Sequence, residues 1–164
     1  MKKKIQLTTE IEVFETFSDL PLQFQNLMKA AEQISEKAYA PYSNFQVGAA
    51  LQLENGEIVT GSNQENAAYP SGICAERSAI YWTGSNYPDQ KITAIAVVGK
   101  PKDAQDFVAT APCGACRQAM FEYEMKQESP IPLLMIWENG EYYLFPSLGS
   151  LLPLHFDKSA LTNK

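Results

Sequence analysis

The chain has 164 residues, of which 45% are hydrophobic and 11% aromatic, so it can bury one sizeable core and a single domain is expected. Its formal net charge of -6 excludes a protein that tracks a polyanion, because such a protein needs many Lys and Arg side chains against phosphates. No run of about 18 apolar residues occurs and no signal-peptide core follows Lys2, Lys3 and Lys4, which predicts a cytoplasmic protein without a membrane partner.

The N-terminal region divides into an arm and the start of a domain. Residues 1–17 mix charged residues and Thr with scattered apolar side chains, which is typical of an N-terminal arm or a short strand. The domain is expected to span residues 18–164. Its first helix is predicted from Pro21, whose fixed φ is already helical, to about Tyr39, because apolar residues recur there at helical spacing.

Two Asn-Gly pairs, each between short apolar runs, predict tight turns in β-hairpins. A uniformly apolar, β-branched run predicts a central buried strand. Five strands alternating with helices predict a three-layer α/β/α sandwich. The predicted strands are 46–53 and 57–61 around Asn55-Gly56, 92–98, and 132–137 and 142–145 around Asn139-Gly140; the further helices are 75–82 and 113–126, with short helical pieces around 148–152.

Three cysteines form the chemically informative pattern: Cys74 in Cys-Ala-Glu, and Cys113 and Cys116 in Pro-Cys-Gly-Ala-Cys. An odd number of cysteines cannot all pair, and in a reducing compartment clustered thiols are more often metal ligands or catalytic groups. Each group is predicted to begin a helix, where the dipole and free amides stabilise thiolates. Three thiolates can bind one zinc ion tetrahedrally and leave the fourth position for a water whose pKa falls towards about 7.

The residues next to Cys74 suit catalysis at such a metal. Glu76 lies on the first turn of the same predicted helix, so its carboxylate can reach the water without being a ligand, and it is the predicted proton shuttle. Three thiolates leave the zinc site with a net charge of about -1, which Arg77 is predicted to offset by hydrogen-bonding the sulfurs. A Cys₃ set, a nearby Glu and Pro-Cys-x-x-Cys are together typical of zinc nucleobase deaminases.

Two other interpretations remain open at this point. A zinc-stabilised, non-catalytic binding module would use Cys74, Cys113, Cys116 and the chain's one histidine, His155, as four ligands of a closed site. That interpretation leaves Glu76 and Arg77 without a role. A deaminase that edits polynucleotides would need a basic groove with interleaved aromatic residues, and this acidic chain has no such run.

Two upstream segments extend the pattern: SNFQVGAA at 43–50 and NQENAAY at 63–69. Together with the cysteine motifs they resemble the small homotetrameric zinc-dependent cytidine deaminase family, over about residues 24–156. The resemblance implies a mixed five-stranded sheet covered by helices and one zinc ion per chain. It further implies hydrolytic deamination of the nucleosides cytidine and deoxycytidine in pyrimidine salvage, and a homotetramer with shared active sites.

The resemblance also implies roles for individual residues. Asn63 and Glu65 are expected to bind the ribose hydroxyls and Phe45 to stack on the base. From residue types alone, the first two would satisfy loop backbone groups and Phe45 would be a core residue. The other implied roles are zinc ligation by Cys74, Cys113 and Cys116, proton transfer by Glu76, substrate contact by Ala75, and contact with a neighbouring subunit's pocket by Ala67, Tyr69 and the C-terminal aromatic Phe156.

Overall fold

The computed structural model describes residues 2–161, which form a sheet with helices on both faces. The strands are β1 (Glu12–Phe14), β2 (Phe45–Leu53), β3 (Ile58–Ser62), β4 (Ile92–Pro101), β5 (Leu133–Ile136) and β6 (Tyr142–Phe145). The helices are α1 (Leu22–Ser35), α2 (Ala75–Asn86) and α3 (Gly114–Gln127). The strand order is β1-β6-β5-β4-β2-β3, with β4 and β5 parallel and all other neighbours antiparallel.

Residues 2–161 form a sheet of six strands, so the predicted count of five is wrong by one. The additional strand is β1, which lies in the N-terminal arm and pairs with β6, with Glu12 opposite Leu144 and Phe14 opposite Tyr142. From the sequence, residues 1–17 are predicted to be an arm or a short strand, and three of these residues form the strand. The free edge of β6 supplies the pairing, which is a tertiary contact rather than a local preference.

Both Asn-Gly pairs lie at turns, as predicted. Gly56 has φ +92°, while Asn139 and Gly140 have φ +64° and +77°. Both residues of the pair at 139–140 adopt the left-handed region, whereas at 55–56 only the glycine does; Asn and Gly tolerate this region better than other residues. The turn at 139–140 therefore joins β5 to β6, and the turn at 55–56 joins β2 to β3.

The helices pack on opposite faces of the sheet and confirm the three-layer arrangement. Helix α1 buries Phe24, Leu27 and Met28 against one face, where its backbone comes so close to β2 that a Cβ on Gly48 would overlap the Ala31 carbonyl. Helices α2 and α3 cover the other face, with core residues such as Ile80, Met120, Leu51 and Val97. Strand β4 pairs with a strand on each side and is buried over nearly all its length, as its apolar run predicted.

Helix α1 ends at Ser35, four residues before the predicted end at Tyr39. Tyr39 forms a bridge with Gln64: its N–H donates to the Asn63 carbonyl at 3.0 Å, and its own carbonyl accepts from the Glu65 N–H at 2.8 Å. Backbone pairing with a distant segment thus competes with the last helical turn and brings residues 63–65 beside the start of β2. Among residues 2–161, no helix combines the length and the apolar character that crossing a membrane requires.

Candidate active site

The three cysteine side chains meet at the N-terminal ends of two helices. Cys74 directly precedes α2 and Cys113 directly precedes α3, while Cys116 lies in the first turn of α3. Their Sγ atoms all lie within 4.8 Å of one another. Both helices pack on the same face of the sheet, which is what brings two segments about forty residues apart in sequence into one cluster.

The cluster fits a zinc ion by donor chemistry and spacing. Three thiols are the soft donor set that zinc prefers, and tetrahedral Zn–S bonds of about 2.3 Å place sulfurs roughly 3.8 Å apart. The Sγ atoms of Cys113 and Cys116 are 3.5 Å apart, and Cys116 is fully buried. Within residues 2–161 this is the one group of three or more metal-ligating side chains that converge on a point.

Hydrogen bonding inside the cluster already favours one thiolate. A hydrogen bond from Cys116, supplemented by Arg77, lowers the pKa of Cys74 to about 5. The same bond to Cys74, together with burial, raises the pKa of Cys116 well above its usual value. The cluster thus accepts a first negative charge easily and resists further ones, as expected of a site whose full ionisation accompanies binding of a cation.

Arg77 lies against the cluster, in the position that the sequence suggested. Its Nη2 atom is 3.5 Å from Cys74 Sγ and donates to it. This thiolate contact raises the pKa of Arg77, so the guanidinium stays charged beside the sulfur. Its Nε atom is buried and has no hydrogen-bond partner in the described part of the chain. The contact supports the predicted role in offsetting thiolate charge.

Glu76 is the buried acid of the site. It lies in the first turn of α2 and is 4% exposed. Burial raises the pKa of its carboxyl, the charge of Cys74 raises it further, and its own backbone amide partly offsets this effect. A carboxyl whose pKa is moved towards neutrality can both take up and release a proton at physiological pH.

A cleft of about 470 Å³ opens beside the thiols. Of the residues assigned from the sequence, Cys74, Arg77, Asn63, Glu65 and Tyr69 line it. The structure therefore brings the predicted ribose-binding pair and the predicted metal ligand into one concave site. The remaining lining residues are Tyr42, Ser43, Gln64, Asn66, Gly72 and Ile73.

Asn63 and Glu65 are held in the cleft by backbone groups of neighbouring segments. Asn63 accepts a hydrogen bond from the Val47 N–H at 2.8 Å and donates one to the Phe45 carbonyl at 2.9 Å. Glu65 Oε2 accepts from the N–H groups of Tyr42 and Ser43 at 2.9 and 3.3 Å. Hydrogen bonds lower the pKa of Glu65, and the bond from the Ser43 side chain has the largest effect. The carboxylate is therefore ionised at neutral pH.

Four of the predicted substrate contacts do not line this cleft in a single chain. Phe45 is half-buried at the start of β2, with its ring edge beside Gly99. Ala75 is fully buried under the first turn of α2, whereas Ala67 is exposed. Phe156 is 57% exposed, and its carbonyl accepts a hydrogen bond from Gln118 Nε2 at 2.8 Å.

The closed four-ligand site with His155 does not form. His155 lies outside the group of thiols. Its ring packs on Phe121 with centroids 4.1 Å apart, its Nδ1 atom lies 3.2 Å from the Leu152 carbonyl oxygen, and its Nε2 atom lies 3.5 Å from Asp157 Oδ2. The binding-module interpretation loses its fourth ligand because the tail folds against α3 rather than into the cluster.

Sequence reasoning missed residues that shape the site through backbone contacts. Tyr42 forms the cleft mouth with Tyr69, their ring centroids being 6.0 Å apart. Arg117 supports the Cys113 loop, since its Nε donates to the Pro112 carbonyl at 2.8 Å and its Nη1 to the Leu151 carbonyl at 3.0 Å. The available signal was position: Tyr42 adjoins the SNFQVGAA segment, and Arg117 follows Cys116 directly.

The amino-acid sequence is similar to those of known proteins. A family model described as the cytidine and deoxycytidylate deaminase zinc-binding region matches residues 22–128. A cytidine deaminase of Sporosarcina psychrophila is 39% identical over 141 residues, 86% of this chain and 96% of that protein. Another, from Halalkalibacterium halodurans, is 47% identical over 98 residues, 60% of this chain and 70% of that protein.

The chain is also similar to solved structures of cytidine deaminases. The crystal structure of cytidine deaminase from Burkholderia pseudomallei is 40% identical, covers 80% of this chain and 97% of its own, and superposes with a TM-score of 0.66. That from Mycobacterium tuberculosis is 31% identical, covers 84% and 99%, and has a TM-score of 0.64. These neighbours share the arrangement of sheet and helices described above, and the family match begins only at residue 22, after the N-terminal arm.

Proposed function

The chain belongs to the cytidine and deoxycytidylate deaminase family, and from that premise we propose that it hydrolyses cytidine and deoxycytidine to uridine and deoxyuridine with release of ammonia. The single observation that carries the proposal is the convergence of three thiols, at the N-termini of α2 and α3, beside the buried carboxyl of Glu76. The named relatives are cytidine deaminases that align over most of their own length.

The three thiols suit zinc, which when bound supplies a Lewis acid that lowers the pKa of a coordinated water. The chain's own contribution is proton transfer. Glu76 takes a proton from the nucleophilic water as it adds to C4 of the pyrimidine and passes it to N3. Glu76 then takes the remaining proton from the new C4 hydroxyl and delivers it to the exocyclic nitrogen; the C4–N bond breaks, ammonia leaves and C4 becomes a carbonyl. Its burial and raised pKa suit a group that must bind and release a proton in one turnover.

Asn63 and Glu65 are proposed to bind the sugar hydroxyls. Both side chains form hydrogen bonds with backbone groups, and these bonds fix the orientation of the side chains in the cleft. Asn63 keeps one N–H and one lone pair, and the Glu65 carboxylate has further lone pairs that can accept from a sugar hydroxyl. A site built to bond hydroxyls discriminates against a base that lacks the sugar. Phe45 and Ala75 are proposed to contact the base from the start of β2 and of α2.

The charges of the cleft favour a nucleoside over a nucleotide or a polynucleotide. Arg77 is the one cation among the residues that line it, and its Nη2 atom is engaged by Cys74. Glu65 adds a negative charge. A phosphate group would therefore meet a carboxylate and one guanidinium that already contacts a thiol, and the whole chain carries a net charge of -6.

We propose that the active enzyme is a homotetramer whose subunits complete each other's sites. Tyr69 at the cleft mouth is 76% exposed, and Phe156 and Ala67 are exposed as well. Large aromatic side chains left in water beside a binding cleft are typical of a surface that another subunit covers. A cytoplasmic role in pyrimidine salvage is proposed too, since a reducing compartment keeps the three free cysteines available as ligands.

The function is tested by following the conversion of cytidine to uridine by ultraviolet absorbance, with deoxycytidine, deoxycytidylate, cytosine and single-stranded DNA as comparison substrates. Glu76→Gln is expected to keep zinc and bind nucleoside, while kcat falls by about 10²- to 10⁴-fold because the proton carrier is gone. Glu57→Gln, an exposed site in the hairpin between β2 and β3, is the matched control and should keep full activity.

The outcomes separate the interpretations. Turnover of both nucleosides, with one zinc per chain and an inactive, zinc-loaded Glu76→Gln variant, supports the proposal. Preference for deoxycytidylate would move the assignment to a nucleotide deaminase. A protein that binds zinc but deaminates none of these substrates would contradict the proposed function.

A further inference from the structure

The N-terminal arm carries a pattern that the deaminase site does not use. Residues 2–13 are all exposed, and from Ile5 to Val13 every second residue is apolar except Thr9, while the residues between them are polar. Ile5 is 77% and Leu7 57% exposed. Such alternation is typical of a strand with one face covered. Among residues 2–161 of one chain, this face is only partly covered, since Ile11 remains 37% and Val13 49% exposed. The arm lies outside the part of the sequence that the family model matches.

The arm also ends in an open sheet edge. Residues 12–14 form β1, which pairs with β6 on one side and is the outermost strand of the described sheet. The side chain of Thr9 donates to the Ser150 carbonyl at 3.0 Å and so holds the arm along the molecule. The outer N–H and C=O groups of an edge strand are a template for another strand.

The charge pattern of the arm is complementary to that of a second, identical arm that runs in the opposite direction. Lys2 and Lys4 share one face of the extended chain with Glu10 and Glu12, because these residues alternate with the apolar set. In an antiparallel pair of identical arms centred on Leu7, Lys2 of one copy is opposite Glu12 of the other, and Lys4 is opposite Glu10. Two-fold symmetry doubles both pairs, giving four oppositely charged contacts.

Other alignments of two arms satisfy fewer of these charges. A parallel pair in register sets lysines against lysines and glutamates against glutamates, which is unfavourable. An antiparallel pair shifted by two residues keeps one kind of ion pair instead of two, since Lys4 then faces Glu12 and Lys2 faces Phe14. The charge pattern thus selects one direction and one register.

The apolar face of the paired arms has a place to pack. Thr9 and Ile11 line a cleft of about 450 Å³ with Trp137, Tyr143 and Leu151. In the register centred on Leu7, Ile5 of one copy is opposite Thr9 of the other. The apolar side chains of the second arm therefore lie on the side of the sheet where this cleft opens.

We propose that two copies of this chain associate through their N-terminal arms, which pair as antiparallel strands centred on Leu7 where each arm leads into β1. The occupant of the exposed edge is a second copy, because the arm is complementary in charge to itself. The contact uses no residue of the deaminase site, so it stands whether or not the proposed function does.

Disulfide cross-linking reads the register directly. Leu7→Cys is expected to give a covalent dimer on a non-reducing denaturing gel after mild oxidation, because directly opposite Cβ atoms are close enough for a disulfide. Ile5→Cys, on the same face and more exposed than Leu7, is opposite Thr9 rather than itself and is the matched control. The unaltered chain sets the background from its own three cysteines.

Charge variants in the Leu7→Cys background test the reason for pairing. Lys2→Glu with Lys4→Glu makes the arm wholly acidic at the four positions, and Glu10→Lys with Glu12→Lys makes it wholly basic. Each alone is expected to cross-link about tenfold less, equivalent to about 1.4 kcal/mol, because like charges then face each other. A mixture of the two, and the chain with all four changes, should recover cross-linking.

Folding of every variant is monitored by its thermal unfolding and zinc content, neither of which the arm contacts should change greatly. The proposed pairing would be contradicted if the charge variants cross-linked as much as the Leu7→Cys chain. It would also be contradicted if Ile5→Cys cross-linked as much as Leu7→Cys. Loss of activity with intact arm pairing would instead count against the proposed function.

Discussion

The backbone hydrogen bonds of Asn63 and Glu65 do not exclude the sugar contacts that are proposed for these two side chains. From the sequence these residues were either backbone partners in a loop or ligands of a sugar. In the structure they bond the backbone of Val47, Phe45, Tyr42 and Ser43 and line the cleft at the same time. The backbone bonds use a fraction of the groups available and fix the rest in place, which lowers the entropy that substrate binding would otherwise cost.

Arg77 is a positioning residue whose effect can be measured on the metal. Arg77→Ala is expected to lower zinc affinity by about 10- to 100-fold, because the thiolate of Cys74 loses its hydrogen-bond donor and the positive charge beside it. Competition with a chromogenic chelator measures this affinity without reference to turnover. Arg77→Lys keeps the positive charge but lacks the planar guanidinium, so its zinc affinity should lie between those of Arg77→Ala and the native chain.

The exposed Lys37→Ala serves as the control for removing a positive charge elsewhere and should leave zinc affinity unchanged. Equal chelator resistance in Arg77→Ala and the native chain would mean that the 3.5 Å contact with Cys74 does not stabilise the metal-bound state.

At the scale of secondary-structure elements, one buried carboxylate joins the end of α3 to the strands around it. Glu124 accepts hydrogen bonds from the N–H groups of Ile131, Leu148 and Gly149 at 2.8, 2.8 and 3.1 Å, and from the Ser147 hydroxyl at 2.7 Å. It thereby holds the segment before β5 and the turn after β6 against the helix that carries two of the three thiols. Four donors satisfy its buried charge.

Glu124→Gln is expected to lower the free energy of unfolding by about 2–4 kcal/mol, because the amide group then points N–H donors at backbone N–H groups and leaves them unsatisfied. Urea denaturation followed by fluorescence measures the change. Glu122→Gln, an exposed position on the same helix, should stay within about 0.5 kcal/mol of the native chain. Similar stabilities of the two variants would show that water replaces the lost bonds.

At the scale of the whole molecule, the proposed sharing of active sites predicts complementation between two defective chains. Glu76→Gln removes the proton carrier, and Tyr69→Ala removes an exposed ring that is proposed to serve a neighbour. Each variant alone is expected to be weakly active or inactive. Co-assembled chains should regain activity in roughly a quarter of sites, because a site with native Glu76 can then receive Tyr69 from another subunit.

The measurement is the cytidine turnover of co-expressed, doubly tagged hybrids, compared with the same two proteins mixed after separate folding. Hybrids no more active than the sum of the separate variants would place Tyr69 in its own subunit's site and remove the support for shared sites.

Much of the local structure followed from the sequence because it depends on neighbours along the chain. The Asn-Gly pairs at 55–56 and 139–140 make turns in which Gly56, Asn139 and Gly140 adopt positive φ, a region that these two residue types tolerate. The spacing of Cys74 and Glu76, and of Cys113 and Cys116, places each set on one helical turn wherever the helix lies. The uniformly apolar β4 is central because both of its faces need covering.

Contacts between distant segments were decided by the tertiary structure alone. The packing of α2 and α3 on one face of the sheet brings Cys74 to the other two thiols, and the fold of the tail against α3 keeps His155 away from them. The pairing of β1 with β6 added a sixth strand, and the bridge from Tyr39 to Gln64 shortened α1 and shaped the cleft. Periodicity records which side of an element is apolar, whereas the distance between two elements depends on how their side chains pack in three dimensions.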